Sequence, residues 1–226
     1  MEEDLTITEK IHDFIEYGVL NEVDKIRLNL GVWDKIADKI EQLKQCDEQV
    51  QRLFIHLQYA ASDTFTLSLA KIYDTPSNAN TRCLRKIFSL VIHHRKEFVR
   101  EKISFIEIQK LKKINCPKEI LRLLENPDKN LCVRICDFYK DKVEKAPYKE
   151  MIEEVFHARN KFVAHSELVN EGHNLKIDLI RELSDLADEF CGIFNIIFMK
   201  GGYIRHPNLT SSYFVKKAIA EYAKVT

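Results

Sequence analysis

Apolar residues return every third or fourth position along most of this chain, the interval that lines up one face of an α-helix. Trp33, Ile36, Ile40 and Leu43 keep that interval. Val50, Leu53, Phe54, Leu57, Ala61, Phe65, Leu69 and Ile72 then carry it through one long helix. The segment TPSNAN (75–80) breaks the pattern with turn-forming residues. Asn80 or Thr81 is placed to cap a following helix that carries Leu84, Ile87, Phe88 and Val91. Residues 97–130 read as short helical pieces, broken at NCP (115–117) and NPD (126–128). Leu131, Ile135, Phe138 and Tyr139 mark another helix, and Pro147 suits the first turn of the next, where its missing N–H leaves nothing unpaired. After the polar stretch SELVNEGHN comes a strongly amphipathic helix built on Leu179, Ile180, Leu183, Leu186, Phe190, Ile193, Phe194 and Ile197. Gly201-Gly202 is expected to end it, and a short last helix is expected near 211–223.

These elements predict an all-α fold in which the long helices form a bundle. Residues 1–30 read as an N-terminal helical appendage, 31–200 as the main helical domain and 201–226 as a C-terminal helical extension. No internal repeat, low-complexity tract or long linker divides the 226 residues.

Composition sharpens this picture in three places. Apolar residues make up 45% and charged residues 31%, which supports a real core and argues against disorder. Lys plus Arg equals Asp plus Glu at 35 each, which argues against a histone-like, charge-driven nucleic-acid binder. A local basic pocket stays open, because net charge averages over the whole surface. The start, MEEDLTITEK, is unlike a secretory signal, and the strongest apolar run, FNIIFM, is far shorter than the roughly 18 residues of a membrane span. The expectation is a soluble cytoplasmic protein without membrane association, its six cysteines reduced.

The candidate chemistry lies in HARNKFVAHSE, residues 157–167. On a helix from Pro147 with Ile152 at zero, Val155 falls near 300°, Phe156 near 40° and Val163 near 20°, at about 100° per residue. Those residues define the buried stripe, and Arg159 falls at about 340°, inside it. A cation there must be paired, reach the surface or face a pocket, because an unpaired buried charge is strongly destabilising. Asp74, at the end of SLAKIYD, is one residue that could pair with it. His165 falls at about 220° on a straight helix, so Arg159 and His165 do not meet unless the helix ends near Ala164 or a second copy supplies the partner.

Such residues suit phosphodiester cleavage. Histidine titrates near neutrality and moves protons. Arginine stays charged and can clamp a phosphate with two parallel hydrogen bonds. In RNA the 2′-OH attacks the adjacent phosphorus, so the substrate brings its own nucleophile and no metal is required. Asn160 adds a neutral donor or orients the histidine. The plainer alternative is that Arg159 pairs with a core carboxylate while His165 sits in solvent at a helix end.

Arg159, Asn160 and His165 in RNKFVAH resemble the signature of the HEPN superfamily: an arginine, commonly a polar residue after it, and a histidine beyond four to six intervening positions, here five. The wider string ARNKFVAHS, with SLAKIYD (68–74) on an earlier long helix, is similar to the AbiU-type abortive-infection branch. The resemblance covers roughly residues 30–200. It implies a HEPN-type helical bundle and a homodimer in which Arg159 and His165 of two protomers line one cleft. It further implies a metal-independent endoribonuclease acting on RNA, in phage defence or as a toxin, with an antitoxin or another defence-system component as a possible partner. His165 would then handle protons, Arg159 would stabilise the charged phosphate and Asn160 would support both. Some HEPN toxins carry a tyrosine two residues past the histidine, where a nucleotidyltransferase modifies it; here that position is Glu167, and that mode of silencing is not implied. The superfamily also includes silent modules that bind RNA, a nucleotide or a protein, and that alternative stays open.

Other features point to structure. Cys132 and Cys136 share a helical face and with Cys116 or a histidine could hold zinc, but they lack a CxxC knuckle and read better as core residues. His93 and His94 point about 100° apart and read as a solvated helix end. His157 falls off the buried stripe. KIEQLKQCDEQVQR (39–52) reads as a solvated helix surface. No phosphate-cradling glycine loop and no HExxH occurs, and no cofactor is expected.

Overall fold

The computed structural model describes residues 5–76, 81–164 and 175–199, and for 162–164 the backbone alone. Every regular element among the described residues is helical. The chain begins with α1 (Ile7–Asp13), whose Thr6–Glu9 capping box satisfies the first free N–H groups. It runs without a break through a π-helical stretch, Phe14–Leu20, into α2 (Asn21–Ala37). A single turn, α3 (Ile40–Leu43), leads to α4 (Glu48–Tyr73), whose N-terminus Asp47 caps by accepting from the Val50 N–H at 3.0 Å. Then come α5 (Leu84–His93), a 3-10 turn at Arg95–Phe98, α6 (Phe105–Lys113), α7 (Lys118–Leu123), α8 (Leu131–Glu144), α9 (Tyr148–Ala164) and α10 (Ile177–Phe198).

Pairs of contacts set the directions. Glu22 meets Ser68 and Lys71, while Ile36 packs with Phe54, so α2 and α4 run antiparallel. Arg27 bonds Asp188 at 2.6 Å, Arg181 bonds Asp34 at 2.7 Å and Asn195 reaches Glu16 at 2.9 Å, so α10 lies antiparallel to the α1–α2 rod. On its other sides α10 meets α5 through Phe88 on Phe190 and α8 through Tyr139 on Phe190. Phe190, Phe194, Phe198 and Phe98 form one aromatic column. Burying each such side chain contributes on the order of 1.5–3 kcal/mol.

Three expectations change on contact with this architecture. Ile11, Ile15, Val19, Val23 and Ile26 lie in the main core, so the segment expected as an appendage is part of the bundle. The stripe along α4 is buried at Phe65, Leu69 and Ile72 but not at Leu53 and Leu57. The first half of α4 runs beyond the main core and packs on a small cluster with Ile36 and Leu43, which leaves its outer apolar side chains in water. The amphipathic pattern of α10 implied a solvent-facing side, yet Ser184, Asp188 and Asn195 are buried there. The rod covers that side, and Arg27 and Glu16 supply partners to the last two.

Local expectations fare similarly. Helix α5 starts two residues later than a Thr81 cap implies: Cys83 holds the N-cap position and makes no side-chain cap bond. Asn80 lies outside the described residues, as do Gly201-Gly202 and the expected helix near 211–223. No helix among the described residues is long and apolar enough to cross a membrane.

Candidate functional site

Helix α9 buries Ile152, Val155 and Ala158, with Met151 and Phe156 half-buried beside them. That stripe seats it against α4, α8 and α10. Arg159 follows at the rim of the stripe, where α9 passes the C-terminal end of α4. The wheel placed this arginine inside the buried face. Its side chain is 33% exposed instead, because the stripe has reached the end of its neighbour.

Three groups hold the guanidinium. It lies over the Phe156 ring, 4.9 Å from the centroid, one helical turn back. Its Nε and Nη2 donate to the Asn160 side-chain oxygen at 3.3 and 3.1 Å. Its Nη1 stands 4.0 Å from Asp74 Oδ1. Asp74 is the pairing partner foreseen from SLAKIYD. It ends α4 with its backbone turned extended, and the same Oδ1 accepts the Thr75 N–H at 2.9 Å. The arginine is therefore supported on three sides and still meets water.

Asn160 is exposed, with its oxygen committed to Arg159 and its amide nitrogen turned away from that contact. His157 is exposed as its wheel position implied. His165, the third residue of the motif, lies outside the described residues, as does Glu167; the side chain of Val163 is likewise outside them. The convergence of Arg159 with His165 is thus not part of the described geometry.

Two nearby residues carried no signal in the sequence. Arg85, in the first turn of α5, donates Nη1 to the Thr75 hydroxyl at 3.2 Å. Thr75 is the neighbour of Asp74, so two guanidinium groups meet one short stretch of chain. The contacts are non-local, and no periodicity foretells them. Cys83, beside this junction, is buried; burial pushes its thiol pKa up, and nearby Asp74 adds to that, so it stays a neutral core group.

The histidines and cysteines set aside from the motif resolve simply. His93 and His94 are exposed at the end of α5, with His94 Nδ1 3.3 Å from Glu97. Cys116, Cys132 and Cys136 are buried, and their thiols are pushed up by burial, Cys116 to about 12. Among the described residues no three His, Cys, Asp or Glu side chains gather as metal ligands would.

Compared with protein-family models, with curated proteins and with solved structures, the chain matches none. Its class rests on its own geometry: an all-helical bundle that presents a buttressed, water-accessible arginine at the meeting of α4, α5 and α9.

Proposed function

We propose that this chain is a metal-independent endoribonuclease of HEPN type, acting in phage defence or as a toxin. The observation that carries the reading is the setting of Arg159. It is permanently charged, held by Phe156, Asn160 and Asp74, and open to water six residues before His165. A structural arginine sealed in the core would show none of that openness.

In the proposed reaction a base takes the proton of a ribose 2′-OH. The 2′ oxygen attacks the adjacent phosphorus, and the bond to the 5′ oxygen of the next nucleotide breaks. A proton passes to that leaving oxygen. The products are a 2′,3′-cyclic phosphate and a 5′-OH end. His165 moves the protons, Arg159 stabilises the charge that builds on the phosphate, and Asn160 keeps the guanidinium in place. The site is shared between two copies of the chain in a homodimer, and an antitoxin or defence-system component regulates it.

The test is cleavage of a mixed pool of structured and single-stranded RNAs by purified protein in EDTA, beside His165→Ala and Arg159→Ala. Cleavage by wild type alone, with cyclic phosphate ends, is the expected result. No cleavage by a folded wild-type dimer would transfer the reading to a silent HEPN-like module that binds RNA, a nucleotide or a protein.

A further inference from the structure

The junction that holds Arg159 also holds a second arginine. Thr75 Oγ1 takes one hydrogen bond from Arg85, at 3.2 Å from Nη1. A guanidinium carries five N–H donors in a planar fork, so most of them remain for a ligand. Among the described residues no carboxylate lies within ion-pair distance of Arg85; the hydroxyl that holds it is neutral. Asp74, next in the chain, faces Arg159 instead. Among the described residues the junction therefore presents two arginines around one carboxylate, and only Arg159 stands within ion-pair distance of it.

The two arginines come from different helices, α5 and α9, and approach successive residues at the end of α4, Arg85 at Thr75 and Arg159 at Asp74. Arg85 is half-buried, and its bond to Thr75 limits its freedom. A half-ordered guanidinium loses less side-chain entropy when it clamps an anion than a free surface lysine does. A single strand of RNA carries its charges one phosphate per nucleotide, so a ligand held by one arginine offers a further phosphate to a neighbouring one.

We propose that Arg85 is a second phosphate-binding residue of the site. It engages a phosphate of the same RNA strand, next to the one held by Arg159. Asp74 and Thr75 are the short stretch that the two clamps contact. This proposal rests on the reading of the site as an RNA-cleaving one. Arg85 contributes to holding the strand and leaves the reacting bond to Arg159 and His165.

The experiment measures binding of a single-stranded RNA whose 2′-hydroxyls are methylated, so that it cannot be cut. Wild type, Arg85→Ala, Arg85→Lys, Arg159→Ala and Arg52→Ala are compared in EDTA over a series of salt concentrations. Arg52 sits on the exposed start of α4, paired with Glu48, and serves as the control for loss of a surface charge. Arg85→Ala is expected to weaken binding by about tenfold and to reduce the slope of log affinity against log salt by about 0.7, the loss of one single-strand phosphate contact. Arg85→Lys should restore the slope and part of the affinity. On cleavable RNA, Arg85→Ala should raise KM and leave kcat in place. Binding by Arg85→Ala equal to wild type, with Arg159→Ala weakened, overturns the role of Arg85 and leaves the RNA reading standing. An equal loss in Arg52→Ala also overturns it, since diffuse charge then accounts for the effect. A folded wild type that binds no RNA overturns this proposal together with the reading beneath it.

Discussion

Arg159 Nη1 and Asp74 Oδ1 stand 4.0 Å apart, and both side chains keep water contact, 33% and 42% exposed. A pair so placed contributes little to folding, about 0–1 kcal/mol. Arg159→Ala and Asp74→Ala are each expected to lower stability by no more than about 1 kcal/mol in urea unfolding, with a coupling in the double mutant of similar or smaller size. A loss of several kcal/mol from Arg159→Ala would mean that the arginine serves the fold, and the functional reading would lose its main support.

The helices were legible because their apolar positions recur at the helical interval, and this holds for α4, α5, α8, α9 and α10 alike. The depth of burial was not. Periodicity orients a side chain relative to its own helix; it does not say whether another helix covers it. Leu53 and Phe65 keep one rhythm, yet Leu53 lies past the end of the main core. Arg159 was legible as an oddity in an apolar stripe and Asp74 as a possible partner. Arg85 was not, because its bond to Thr75 depends on how α5 returns across the end of α4.

That difference within α4 gives a direct test. Phe65 is 0% exposed and packs edge-on to Trp33, with ring centroids 6.3 Å apart, whereas Leu53 is 51% exposed. Phe65→Ala is expected to lower unfolding stability by about 3–5 kcal/mol, and Leu53→Ala by about 0.5 kcal/mol or less. Denaturant midpoints of the two variants check it. Equal losses would show that the first half of α4 is covered in solution.

Glu22 provides a pH-dependent term. Burial works to raise its pKa, but hydrogen bonds from Lys25 at 2.7 Å and Ser68 at 2.7 Å, with the charge of Lys71, outweigh burial and hold it below the usual carboxylate value. A carboxylate lowered in the folded state adds stability above its unfolded pKa. That contribution is complete at neutral pH and is lost as the pH falls through the usual carboxylate range to the lowered value. Glu22→Gln should therefore be less stable than wild type near pH 7, and the gap should narrow toward acid. Urea midpoints across pH 3–7 measure it; a constant gap would rule out the ion-pair origin.

All six cysteines are buried and free, and burial raises the thiol pKa of Cys83, Cys116, Cys132, Cys136 and Cys191. The thiolate is the reactive form, so both access and ionisation oppose modification. Native protein at pH 8 is expected to react only slowly with a disulfide reagent, at a rate set by opening of the fold, and to show six fast thiols in denaturant. A fast-reacting thiol in the native state would mark the segment around that cysteine as one that opens locally.

Gly18 packs closely against Arg82. It sits in the π-helical stretch, where a side chain would ordinarily help, since alanine favours a helix over glycine by up to about 1 kcal/mol. Yet a Cβ built at Gly18 comes within 2.6 Å of the Arg82 Cβ. The obstacle is the root of the arginine side chain and not its mobile end, so the chain at Arg82 must move. Arg82 is also tied to Asp13, at 2.9 Å, which resists that movement. Overpacking of this kind typically costs about 1–3 kcal/mol, more than the helical gain. Gly18→Ala is therefore expected to lower stability by about 1–2 kcal/mol in urea unfolding. Gly18→Ala combined with Arg82→Gly should recover most of the loss, because the second change removes the atom in the way. A stabilised single variant would show that the rod and the start of α5 stand farther apart than this contact implies.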